Sequence, residues 1–86
     1  MKKPKPAKSP RLTRVYWHDM AQLSGWFTSK QIALFEPAPC ISVGYLVENN
    51  DKWLILASDV VENDDDMFGG LILIQWCCID KWEYLG

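Results

Sequence analysis

The chain has 86 residues, of which 49% are hydrophobic and 13% aromatic, a composition that excludes a disordered protein and a length that excludes several independent cores. The net charge of −2 conceals an uneven distribution, because six of the nine basic residues lie in the first fourteen positions. From residue 15 onward there are three basic and eleven acidic side chains, so this part repels phosphate backbones while the basic end attracts them.

The three cysteines, Cys40, Cys77 and Cys78, form an odd set with one adjacent pair, which is a poor disulfide framework. We therefore expect reduced thiols and a cytoplasmic location. No apolar run reaches membrane-spanning length, and no apolar segment follows the basic N-terminal residues. Neither a membrane span nor a signal peptide is predicted.

Residues 1–11 contain three prolines and no apolar period, which predicts a flexible basic tail ahead of a single domain over 12–86. A solubilising role is one interpretation of this tail. The other is an arm that contacts nucleic acid or the acidic face of a neighbouring subunit. The basic side chains that such an arm would use are Lys2, Lys3, Lys5, Lys8 and Arg11.

The first predicted strand covers residues 12–19 and is followed by a loop over 21–27. A helix of about two turns is predicted after Thr28, because Thr28 and Gln31 form a capping-box pattern. The prolines within 37–39 end this helix. Since so short a helix is not stable alone, we expect its apolar side to pack on a sheet.

Residues 40–58 have the pattern of a β-hairpin, with an apolar run on each side of a polar turn over 48–51. The second strand is predicted over 40–47 and the third over 52–61. Gly44, in the middle of the second strand, indicates a strong bend or a bulge, which a small curved sheet requires.

An acidic loop is predicted over 62–66, followed by a fourth strand over 71–76, a tight turn at Cys77 and Cys78, and a last strand over 79–85. Five closely spaced antiparallel strands with one short helix after the first indicate a mainly β fold. A small, strongly bent barrel is predicted, because closing the sheet removes its exposed edges. A single sheet backed by the helix is the alternative.

Four segments, 14–19, 42–58, 68–74 and 79–85, resemble strands of the SH3-like and Sm-type small β-barrels. The resemblance implies an SH3/Sm-like barrel that assembles as a ring or a dimer. It does not extend to the RNA site of the Sm family, because residues 52–54 replace its Met-Asn pair and Gln-Trp at 75–76 replaces its Arg-Gly pair. Uridine binding is therefore not implied.

A second resemblance is to small phage-encoded proteins of unassigned function. It implies an accessory role for a phage and a location in the host cytoplasm. The motifs that carry it are Trp17-His18-Asp19, Gly25-Trp26, residues 40–45 and residues 56–58.

No cluster of acid, base and nucleophile is apparent in the sequence, so we expect a protein that is not an enzyme. His18 precedes Asp19, but adjacent strand residues point to opposite faces and do not form a catalytic dyad. The cysteines lack the paired spacing of zinc sites, and the acids at 64–66 lack the spacing of calcium loops. No catalytic residue, metal or cofactor is predicted.

The aromatic side chains are more suggestive, because aromatic planes with serine and aspartate suit a ligand made of a nucleobase and a ribose. Core packing and a subunit interface account for most of these rings. Trp26 should remain available to a ligand, because it follows Gly25 in a loop where packing needs it least. The predicted ligand-binding residues are Trp26, Asp19, Ser42, Ser58, Tyr16 and Trp17.

The leading hypothesis is a phage-encoded, homo-oligomeric binding module that captures a nucleotide-type small molecule or a host protein and so blocks a host defence process. An immune signalling nucleotide is one concrete ligand. The alternatives are an Sm-like single-stranded nucleic-acid-binding protein that uses the basic tail, and a structural or adaptor protein of the virion. No membrane partner is expected.

Overall fold

The computed structural model describes residues 10–20, 23–61 and 64–86, with the backbone alone described over 64–66. Its five strands form one antiparallel sheet in the order β4-β3-β2-β1-β5. The elements are β1 (Arg11–Asp19), α1 (Ser29–Ile32), β2 (Ala38–Asn49), β3 (Trp53–Val61), β4 (Asp64–Gln75), a 3₁₀ turn (Trp76–Cys78) and β5 (Ile79–Tyr84).

The mainly β fold, the five antiparallel strands and the single short helix are confirmed for the described residues. The prediction of an acidic loop over 62–66 is wrong from Asp64 onward, because β4 begins at that residue. This start lies seven residues before the predicted start of the fourth strand. The end of β3 supplies the reason: Val61 pairs with Asp64, and Val60 pairs with Phe68. Pairing with a neighbouring strand overrides the low strand propensity of aspartate.

The buried core is a cluster of five aliphatic side chains that come from four of the strands: Val15, Leu54, Leu56, Ile74 and Ile79. In a flat sheet of this order, β4 and β5 would lie about 19 Å apart, because neighbouring strands are about 4.8 Å apart. Their side chains share one cluster, so the sheet is strongly bent.

The described strands show no pairing between β4 and β5, so the sheet is open and a closed SH3/Sm-like barrel stays a prediction.

Gly44 lies where β2 changes partners. β2 pairs with β1 up to Leu46, and it pairs with β3 only from Tyr45 onward. A Cβ atom at Gly44 would lie 2.9 Å from the carbonyl oxygen of Ala57 and 3.0 Å from Cβ of Leu56. Glycine is therefore needed for the close approach of the two strands. The register of β2 with β3 shifts between Leu46 and Glu48, so the bulge lies after Gly44 and not at it.

Trp76 joins the end of β4 to the turn between β2 and β3. Its backbone N–H donates to the carbonyl of Lys52 at 2.9 Å, and its indole Nε1 donates to the carbonyl of Asn50 at 2.8 Å. The side-chain oxygen of Asn50 in turn accepts from the backbone N–H groups of Lys52 and Trp53. These bonds fix the 3₁₀ turn, which leads the chain from β4 to β5 beside β1.

The connection between β1 and β2 projects from the sheet. We call residues 23–37 the arm; every one of them is exposed, and α1 has no buried residue. The predicted capping box is present, since Gln31 N–H donates to Thr28 Oγ1 and Thr28 N–H donates to Gln31 Oε1. The expected packing of the helix on the sheet is wrong: α1 has four residues, and Leu34, just beyond its end, is 82% exposed.

The close approach at Gly44 yields a stability prediction. Gly44→Ala should lower the free energy of unfolding by about 1–3 kcal/mol, because the added methyl group meets a backbone carbonyl that cannot move without disturbing β3. Urea unfolding followed by tryptophan fluorescence measures this difference. Gly69→Ala is the control, because its Cβ would meet Cβ of Asp59 at an ordinary 3.7 Å. Equal stability of the two variants would contradict the account of the bend.

Candidate functional site

A cleft lies where the end of β1 faces the end of β4. The bend of the sheet brings these two strand ends together, and the 3₁₀ turn forms the third side. The cleft has a volume of about 240 Å³ and is lined by Trp17, Asp19, Met20, Leu73, Ile74, Gln75 and Cys78. This volume is slightly below the usual range for sites that bury drug-sized ligands, and it suits a single flat ring system.

Trp17 provides the aromatic surface of the cleft. Its side chain is half-buried against the core, and its indole Nε1 donates a hydrogen bond to Ser42 Oγ at 2.9 Å. Ser42 lies on β2 directly across from Val15, two positions from the Trp17–Cys40 pair. The serine hydroxyl therefore holds the ring in one orientation, so Ser42 positions Trp17 and is not itself among the residues that line the cleft.

Asp19 and Gln75 add polar groups to the cleft, and both side chains are exposed. A carboxylate accepts hydrogen bonds only, whereas a carboxamide both donates and accepts. Together they match the mixed donor and acceptor edge of a nucleobase or the hydroxyl groups of a ribose. Among the described residues that line the cleft, Asp19 is the one charged side chain, so a phosphate group finds no cation there.

Cys78 adds a thiol that stays protonated at neutral pH. Desolvation raises the pKa of Cys78, and a hydrogen bond with Cys77 and the negative charge of Asp19 raise it further. The two sulfur atoms are 3.8 Å apart and both cysteines are free thiols. A neutral thiol is a weak nucleophile, so Cys78 is suited to contact a ligand and not to attack one.

His18 and Asp19 do not act on one another, as the alternation of a strand requires. His18 Nδ1 instead contacts the carboxylate of Asp80. Asp80 is the extra residue of a bulge, because Trp17 pairs with Ile79 while Tyr16 pairs with Lys81. The bulge turns the Asp80 carboxylate toward His18, which is thereby held outside the lining of the cleft.

Only part of the predicted ligand site is brought together. Trp17 and Asp19 line the cleft, and Ser42 supports Trp17 from behind. Tyr16 lies on the opposite face of β1, where Lys81 Nζ is 4.3 Å from the centre of its ring. Trp26 is fully exposed on the arm and does not line the cleft.

Ser58 is also separate from the cleft. It lies in the part of the β3–β4 hairpin beyond β2, where its hydroxyl donates to Asp59 Oδ2 at 3.0 Å. Gly69 and Gly70 are its neighbours on β4, and a Cβ atom at Gly70 would lie 1.9 Å from Ser58 Oγ. A ligand role for Ser58, Tyr16 or Trp26 in this cleft is therefore not supported by their positions.

The predicted nucleic-acid arm lies mostly outside the described residues. Lys2, Lys3, Lys5 and Lys8 are not described, whereas Arg11 is the first residue of β1 and its guanidinium lies 3.7 Å from the centre of the Tyr84 ring. Arg14, on the same strand, forms an ion pair with Glu83 at 2.7 Å. Nucleic-acid binding through the tail stays a prediction.

Sequence reasoning missed Met20, Leu73, Gln75 and Cys78 as site residues. The apolar pattern of 71–76 identified a strand, but nothing in it indicated that this strand ends against β1. A polar residue that ends an apolar strand, as Gln75 does, is a weak local signal for a site at a strand end.

Within the described parts of the chain, no group of three or more histidine, cysteine, aspartate or glutamate side chains is placed to hold a metal ion. Likewise, none of the described helices has the length and apolar character needed to cross a membrane. Comparisons with protein-family models, curated proteins and solved structures gave no match.

The environment of Cys78 predicts its reactivity. In a Cys40→Ser/Cys77→Ser background, adding Asp19→Asn should move the pH midpoint of Cys78 alkylation by iodoacetamide to lower pH, because the variant removes a nearby negative charge that disfavours the thiolate. Mass spectrometry of the labelled protein over a pH series measures the midpoint. An Asp51→Asn variant removes a charge elsewhere and serves as the control. Equal midpoints for Asp19→Asn and its parent would contradict the assigned proximity of Asp19 and Cys78.

Proposed function

We propose that the protein is a non-enzymatic binding module that captures a nucleoside-type group in the cleft at the end of β1. The observation that carries this proposal is the Trp17 ring, fixed by its hydrogen bond to Ser42 and flanked by Asp19 and Gln75 in a cleft of about 240 Å³. An aromatic face with a few placed polar groups is the usual composition of a small-molecule site.

The chemistry of the cleft favours the base and ribose over the phosphate. A base that stacks on Trp17 gains about 1–3 kcal/mol. Asp19 accepts from a ribose hydroxyl or an exocyclic amino group, and the Gln75 amide pairs with the edge of the base. From residue 15 onward the chain carries eight more acidic than basic side chains, so a phosphate group bound nearby is repelled.

Cys78 and His18 are the two side chains near the cleft that could have taken part in a reaction, and neither is placed to do so. The raised pKa of Cys78 keeps its thiol neutral, and the imidazole of His18 contacts Asp80 instead of the cleft. A nucleophile with an adjacent base is the minimum arrangement for covalent catalysis. The described residues of the cleft do not form one, which supports capture of a ligand without its conversion.

The biological part of the proposal rests on the sequence. Similarity of the four short motifs to small phage proteins supports a phage-encoded module that acts in the host cytoplasm against a host defence process. Of a signalling nucleotide, the base and ribose are the parts that suit the cleft. β4 and β5 lie at the two edges of a bent sheet. This strand order supports an SH3/Sm-like arrangement in which the edges approach each other at the cleft.

Isothermal titration against nucleosides, nucleoside monophosphates and cyclic dinucleotides tests the proposal. We expect one nucleoside to bind, and to bind more tightly than its monophosphate at low salt because of the acidic surroundings. Asp19→Asn should weaken binding by about 10–100-fold, since hydrogen bonds to a charged group contribute about 1.5–3 kcal/mol.

Trp26→Ala is the matched control, because it removes an aromatic side chain that lies outside the cleft. It should leave the affinity unchanged. Absence of heat with every compound at millimolar concentration, or equal affinity of the wild type and Asp19→Asn, would rule out this site.

A further inference from the structure

The arm exposes a large amount of apolar surface. Apolar side chains in or beside it that are at least 40% exposed are Met20, Leu23, Trp26, Phe27, Ile32, Leu34 and Phe35. Their combined exposed area is on the order of several hundred Å², close to the roughly 800 Å² that each partner contributes to a stable interface. Surfaces of this kind are normally covered by a partner.

Contacts within the arm also give it a defined local structure. The capping box starts α1, and the rings of Phe27 and Phe35 meet edge to face with their centres 5.1 Å apart. A helix of four residues is not stable alone in water. Burial of the arm against another molecule would stabilise this helix.

A hollow and a projecting ring lie side by side on this arm. The hollow has a volume of about 460 Å³ and is lined by Met20, Leu23, Phe27, Phe35, Glu36 and Pro37. Trp26 follows Gly25, whose φ of 114° is accessible mainly to glycine and turns the chain outward. Trp26 is 100% exposed and does not line the hollow beside it.

The hollow has the chemistry that an indole ring requires. Its walls are apolar apart from the carboxylate of Glu36, and a buried indole N–H needs one acceptor. Trp26 offers a flat apolar ring with a single donor. The ring cannot occupy the hollow of its own chain in this conformation, but it can occupy that of a second copy.

We propose that the arm is the homodimer interface, in which Trp26 of each copy inserts into the hollow of the other and donates its N–H to Glu36. Because ring and hollow belong to the same arm, the exchange is reciprocal and closes as a twofold dimer. The arm contains one basic residue, Lys30, and one acidic residue, Glu36, so two copies meet without net charge repulsion. The proposal names the surface and the anchor of the homo-oligomer, and it does not depend on the ligand cleft.

Sedimentation velocity of the full chain at 1–100 µM tests the proposal. We expect a dimer for the wild type and an increase of at least about 100-fold in the dissociation constant for Trp26→Ala, because each dimer loses two central aromatic anchors. Trp26→Phe keeps the ring without the donor, and it should weaken the dimer by a smaller factor. Trp26 is fully exposed, so circular dichroism should show an unchanged fold.

Two further variants define the role of the hollow. Glu36→Leu removes the acceptor and should weaken the dimer roughly tenfold, since a buried donor is left unpaired. Leu71→Ala removes an exposed apolar side chain of β4 that lies outside the hollow, and should leave the dimer unchanged.

A monomeric wild type at 100 µM, or a Trp26→Ala variant that dimerises as tightly as the wild type, would overturn the proposal. Asp19→Asn separates this result from the proposed ligand site. It should weaken ligand binding and leave the dimer intact, whereas Trp26→Ala should do the reverse. A failure of the dimer therefore leaves the cleft unaffected, and a failure of ligand binding leaves the dimer unaffected.

Discussion

The close contact between β2 and β3 at Gly44 is the constraint on which the rest of the structure depends. A Cβ atom there would lie 2.9 Å from the backbone of Ala57, so only glycine lets β2 leave β1 and cross onto β3. The sheet built around this contact is bent, so its two edges curve toward each other. The ends of β1 and β4 then meet, and they form a cleft that a flat sheet would not possess.

The same bend limits how much apolar surface the chain can bury. Almost half of the residues are hydrophobic, yet the core cluster contains only five fully enclosed aliphatic side chains, of which Leu54, Leu56 and Ile74 are among the largest. A single small domain has too little interior to hold the remainder. Seven of the sixteen large hydrophobic side chains that are exposed among the described residues lie in or beside the arm. A partner that covers this surface adds stability by mass action. The composition therefore supports the proposed dimer without deciding its function.

The sequence predicted the features that depend on neighbouring residues. Runs of β-branched and aromatic residues indicated the five strands, the Thr28–Gln31 pattern indicated the helix start, and Gly25 indicated an exposed Trp26. Features that depend on distant residues were not predictable. The early start of β4 is set by the ladder with the end of β3, and the cleft forms only because Gln75 lies against β1 after the bend. The separation of Tyr16, Ser58 and Trp26 from Trp17 likewise depends on how distant parts of the chain pack.

Met20 connects the two regions, because it is the one described residue that lines both the cleft and the hollow of the arm. A group in either space therefore lies beside Met20. Methionine has three rotatable bonds and adapts to either neighbour, so the two spaces are expected to fill independently. Any influence that it transmits must be reciprocal: if dimerisation tightens ligand binding, the ligand tightens the dimer by the same factor. Asp19 lines the cleft alone and Trp26 lines neither space, so variants at these two positions separate the ligand site from the proposed dimer.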